Sequence, residues 1–80
     1  MSPEQCRAAR AWLGWNQNEL AKRAEVGIST VKDFERGGRK PMLQNVKAMR
    51  AAIEAAGMSL LFNQDRATGI ALTDAGDSSS

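Results

Sequence analysis

The chain has 80 residues, 42% of them apolar, with 11 Lys and Arg against 9 Asp and Glu, which bounds it to one small globular domain. It contains no His and a single Cys, Cys6. That composition excludes a His-based triad, an imidazole base, a His or Cys-rich metal site and an intrachain disulfide.

Ser2-Pro3-Glu4-Gln5 reads as a helix start. Ser2 suits the cap, Pro3 the first helical position, and Gln5 the returning partner of a capping box. Cys6, Ala9 and Leu13 then share one face, and Gly14 offers a left-handed stop, so the spacing predicts a first helix over about 3–13. Cys6 on this stripe reads as an inert core thiol. Trp12 and Trp15, beside Leu13 and Gly14, read as helix packing rather than a base-stacking platform.

Asn16 is the next cap, with Glu19 three residues on. Leu20, Ala21 and Ala24 line the inner face of a short second helix, about 17–24. A tight turn at Glu25-Val26-Gly27 leads to a third helix over 28–36 with Val31 and Phe34 inward. Gly37-Gly38 ends it, and Arg39-Lys40-Pro41 reads as a basic extended link. Leu43, Val46, Met49, Ile53 and Ala56 recur at helical spacing, which predicts a fourth helix from about Met42 to Ala56, closed by Gly57. Met42, Met49 and Met58 read as core or interface fill.

Beyond Gly57 the period changes to two. Met58, Leu60 and Phe62 alternate with their neighbours, as do Ile70 and Leu72, with a polar stretch from Asn63 to Gly69 between them. The pattern predicts a β-hairpin with a longer loop. Residues 74–80 read as a flexible tail. The expected organisation is a helical unit over 1–57, a hairpin over 58–73 and that tail.

The basic surplus is uneven. Residues 1–40 carry eight Lys and Arg against five Asp and Glu, and residues 41–80 carry three against four. The helical half is therefore the half suited to a polyanion. No apolar run approaches the roughly 18–20 residues of a membrane span, and the N-terminus lacks an apolar signal region, so the expected setting is cytoplasmic with no membrane partner. No catalytic constellation and no cofactor site is expected.

Helices two and three, separated by a three-residue turn, form a helix-turn-helix candidate. The stretch from Arg10 through Leu13-Gly14, Gln17, Leu20-Ala21 and Val26, then Thr30-Val31, Phe34-Glu35 and Gly37, resembles the phage repressor and Cro-type (Xre-like) regulators. The resemblance covers about residues 4–56. It implies a mainly α fold, a four-helix lambda-repressor-like DNA-binding domain, here followed by the C-terminal hairpin. It also implies sequence-specific binding of double-stranded DNA, with the third helix in the major groove of an operator and repression of transcription.

Residue by residue, the resemblance gives Ile28, Ser29, Lys32 and Asp33 as base-contacting positions. It gives Gln17 as a phosphate contact, with Thr30, Arg36, Arg39 and Lys40 as further phosphate candidates. Arg10 and Glu35 match a structural ion pair between the first and third helices. Two positions depart from the family pattern: Gly27 stands where a Ser or Thr cap is usual, and Ile28 where a polar residue is usual.

The hairpin is apolar on both faces and an isolated hairpin is marginal in water, so a cover is needed. The expected cover is the fourth helix on one side and a second copy of the chain on the other. A homodimer then forms through Met58, Leu60, Leu61, Phe62, Ile70 and Leu72. Two-fold symmetry would set two third helices about one DNA turn, roughly 34 Å, apart. The alternative reading is an antitoxin-like module whose partner is a toxin protein and which regulates its own operon.

Overall fold

Reciprocal hydrogen bonds open the first helix. The Ser2 hydroxyl accepts from the Gln5 backbone N–H at 3.0 Å, and Gln5 Oε1 accepts from the Ser2 N–H at 2.9 Å. This capping box satisfies two of the donors that every helix start leaves open. The computed structural model describes residues 1–37, 41–64 and 66–72. Its elements in chain order are α1 (Pro3–Leu13), α2 (Gln17–Ala24), α3 (Ile28–Arg36), α4 (Leu43–Ala55), β1 (Met58–Asn63) and β2 (Arg66–Leu72). The architecture is mainly α: four helices followed by a two-stranded antiparallel hairpin.

Each short helix has a local reason to stop. Gly14 and Gly37 take left-handed conformations, φ 74° and 73°, after α1 and α3. Asn16 Oδ1 accepts from the Glu19 N–H at 2.7 Å and starts α2. Glu25 ends that helix in the left-handed region, φ 58°, a conformation a non-glycine residue adopts at some cost. Gly27 precedes α3 with no side-chain cap, which forgoes only a few tenths of a kcal/mol against Ser or Thr. Met42 and Ala56 are caps of α4 rather than its first and last helical residues.

One core joins all of these elements. Cys6 and Ala9 of α1, Leu20, Ala21 and Ala24 of α2, Val31 and Phe34 of α3, and Met49 and Ile53 of α4 are buried together with Met58 and Leu60 of β1. The hairpin thus shares the helical core. Met58 and Leu60, two of the residues expected at a dimer face, are buried in the chain's own interior. Ile70 is half-buried against the same core, which leaves Leu61, Phe62 and Leu72 exposed.

Three further expectations change. The stretch Asn63 to Gly69 is not a long loop, because β2 begins at Arg66 and pairs along its length with β1. A ladder needs backbone groups, not apolar side chains, so polar residues continue the strand where one face meets water. A register shift falls between Leu61, opposite Gly69, and Phe62, opposite Ala67, so Thr68 is the extra residue of a bulge. Leu43, expected inward, is exposed in the first turn of α4, where the core has not yet begun. Trp12, expected to pack, is 64% exposed and stands beside β2 on α1.

At the bulge, α1 enters the hairpin. Gln5 Nε2 donates to the carbonyls of Leu61 at 2.8 Å and Gly69 at 2.9 Å, two residues that face each other across the strands. Gln5 is itself buried. The same side chain therefore caps α1 through its oxygen and holds both strands through its nitrogen.

Candidate nucleic-acid interface

α2 and α3 pack on each other across the turn at 25–27, and α3 turns one face to the core and the other to solvent. A helix advances about 100° per residue, so with Val31 and Phe34 buried the opposite direction falls near Ser29 and Arg36. Ile28 and Lys32 flank that direction on one side and Asp33 on the other. Ile28, Ser29, Lys32 and Arg36 are exposed, and Asp33 and Thr30 are half-buried. All four positions expected to touch bases therefore lie on one accessible strip. Arg36, expected to face phosphate, lies on the same strip and forms an ion pair with Asp33, one turn back. Arg39 and Lys40 lie outside the described residues.

The core side of α3 is held by one carboxylate. Arg10 Nε donates to Glu35 Oε2 at 2.6 Å and Arg10 Nη2 to Glu35 Oε1 at 2.8 Å, a two-pronged pair between α1 and α3. Cys6 Sγ donates to Oε2 at 3.1 Å, and Gln17 Nε2 donates to Oε1 at 3.0 Å. Arg7 donates to the Glu35 backbone carbonyl, and Arg10 Nη1 to the Trp15 carbonyl at 3.0 Å. Glu35 thus gathers donors from α1 and from the first residue of α2. Burial by itself would raise its pKa, but the hydrogen bonds from Arg10, Gln17 and Cys6 and the Arg10 charge outweigh it. The carboxyl sits below the usual carboxylate range and stays ionised.

The Cys6 thiol goes the other way. Burial, then its hydrogen bond and proximity to Glu35, push its pKa well above the usual thiol value. It is a neutral donor rather than a nucleophile. Sequence spacing marked Cys6 as core but could not show its hydrogen bond, because α3 reaches it only through the tertiary fold. The inward bond of Gln17 depends on the tertiary fold in the same way. Its amide is tied to Glu35 by one N–H.

α2 is braced on its other flank. The Arg23 guanidinium lies over the Trp15 ring, 4.5 Å from its centroid, and Arg23 Nε donates to Glu19 Oε2 at 2.6 Å. Trp15 is a half-buried packing residue. Among the described residues no group of three or more His, Cys, Asp or Glu side chains is placed to hold a metal ion, and no helix is long and apolar enough to cross a membrane.

Two short helices joined by a tight turn, the second presenting a polar strip, define a helix-turn-helix protein. A family model described as helix-turn-helix matches residues 7–54, more than half of the chain. The chain belongs to this family, the phage repressor and Cro-type (Xre-like) regulators. It is a domain of the DNA-binding transcription-regulator kind, a kind that is not enzymatic. No match to the chain was found among curated proteins.

Proposed function

We propose that this chain recognises a specific operator in double-stranded DNA, with α3 in the major groove, and represses transcription by occupying it. The observation that carries the reading is the exposed strip through Ser29, Lys32 and Asp33, with Ile28 at its edge, on a helix whose inner side is anchored to α1 through Glu35. A rigid reader loses little entropy on docking, so its contacts go into affinity and discrimination. Ser29 offers a hydroxyl to either base type, Lys32 donates to guanine, Asp33 accepts from cytosine and Ile28 packs on a thymine methyl. Gln17 and Thr30 contact the backbone, which positions the helix without specifying sequence.

We infer further that the chain works as a homodimer. Leu61, Phe62 and Leu72 of the hairpin and Trp12 of α1 leave large apolar side chains in water on one small protein. A second copy covering the hairpin would remove that exposure and match a two-fold operator. Light scattering on the purified protein tests this, and a monomer at micromolar concentration would defeat it.

The main reading is tested by selecting bound duplexes from random DNA and measuring affinity against salt. An enriched motif and a log–log loss of affinity with salt are expected. Absence of both would overturn the reading.

A further inference from the structure

Arg36 and Asp33 are joined on the exposed face of α3, with Arg36 Nη2 donating to Asp33 Oδ1. Resting on the DNA-binding reading above, we propose that this pair is a single base-reading unit in which Asp33 aims the Arg36 guanidinium at a guanine. Arg36 thereby leaves the set of phosphate contacts.

Direction comes first. Val31 and Phe34 fix the inward side of α3, and steps of about 100° per residue bring Arg36 round to within about one-tenth of a turn of the opposite direction. Ser29 shares that direction, and Lys32 and Asp33 flank it. Arg36 stands near the midline of the strip, where side chains meet the groove floor, not at its margin, where they meet the strands.

Side chains of a helix lean toward its N-terminus. Arg36 sits in the last turn, so its lean carries the guanidinium back over Asp33 and toward Ser29 and Lys32. The ion pair records that orientation. Arg36 is 71% exposed at its side chain, so the group is available to a ligand while it is held.

The chemistry fits guanine better than phosphate. A guanidinium has five N–H donors, and the Asp33 contact uses one of them. A complete two-donor fork remains, which is the arrangement that matches O6 and N7 of guanine. A phosphate at the same place would meet the Asp33 carboxylate, charge against like charge. In water such an exposed pair adds little stability. Its effect is on orientation: Asp33 narrows the rotamers of a long side chain before DNA arrives, and its second oxygen is free to accept from a cytosine amine.

The test selects bound sequences from random duplex DNA with the full chain and with Asp33→Ala, Arg36→Lys and the double variant. Each duplex affinity is then measured across a salt range. Arg36→Lys keeps the charge and removes the fork. Both single variants should lose the guanine preference at the same one base pair, with about a tenfold or greater loss on the selected site. The salt slope should be nearly unchanged, and the double variant should lose no more discrimination than either single one. The pair is overturned if the selected motif survives Arg36→Lys. It is also overturned if Asp33→Ala tightens binding to all sequences alike, the signature of a repulsive surface charge. A wild-type chain that selects no motif would overturn the DNA reading itself, and is told apart from failure of the pair by that arm alone.

Discussion

Gln17 and Glu35, the first residue of α2 and the penultimate residue of α3, are bonded side chain to side chain, with Gln17 Nε2 donating to Glu35 Oε1 at 3.0 Å. The carboxylate that anchors α3 to α1 through Arg10 therefore also fixes the amide at the head of α2. On the proposed reading, the group that positions the base-reading helix and the group that meets the DNA backbone are set by one buried charge.

Gln17→Ala should weaken binding to selected and scrambled duplexes alike, by about tenfold, with the salt slope nearly unchanged because the amide carries no charge. It should also cost about 1 kcal/mol of stability through the lost bond to Glu35. Fluorescence anisotropy on the two duplexes and a denaturant melt check both halves. A loss confined to the selected duplex would make Gln17 a base reader instead.

Glu35 predicts an acid sensitivity. Its folded pKa is depressed, so the unfolded chain binds more protons as pH falls through the ordinary carboxylate range, about 4.3. The stabilisation from this group is complete above that range and is lost as pH drops through the folded value. Glu35→Gln should remove that component of the pH dependence. It should also destabilise the protein at neutral pH by about 3 kcal/mol, because Arg10 is left without its charge partner. Urea melts from pH 3 to 7 on both proteins measure the difference in slope.

The Cys6 thiol is buried and its pKa is raised, so it should resist thiol reagents in the native state. Labelling should proceed only through global opening, at a rate that tracks unfolding as urea is added. Cys6→Ala should cost about 1–2 kcal/mol, and Cys6→Ser, which keeps a donor for Glu35, less. Fast labelling of native protein would contradict the assigned role.

Gln5→Glu keeps the oxygen that caps α1 and removes the N–H groups that hold Leu61 and Gly69. It should leave α1 formed while loosening the hairpin, at a cost of about 2–3 kcal/mol from two carbonyls left facing a carboxylate. Amide exchange should show lost protection in β1 and β2 and little change in α1.

Much of this protein is written in short-range rules. Ser2 with Gln5, Asn16 with Glu19, and the left-handed Gly14 and Gly37 act within one helical turn, so α1, α2 and α3 have the residues that local spacing predicts. Periodicity also put Val31 and Phe34 inside, and with them the direction of the α3 strip. The family likeness added the pairing of Arg10 with Glu35, whose side chains are bonded in the fold.

Contacts across elements belonged to the tertiary structure. Local spacing alone could not tell that Trp12 borders β2 in water while Trp15 is partly covered, because exposure depends on which neighbours arrive. It could not place Met58 and Leu60 in the helical core, extend β2 to Arg66, or bring the Gln5 amide to the bulge. The basic excess on residues 1–40 belongs to the sequence itself. The fold alone committed half-buried Arg10 to the Glu35 carboxylate and exposed Arg7 to its backbone carbonyl, and left Lys32 and Arg36 on the outer face of α3. The physical reason is range: caps and periodicity are local, whereas a buried carboxylate takes its donors from whatever the packed chain brings within 3 Å.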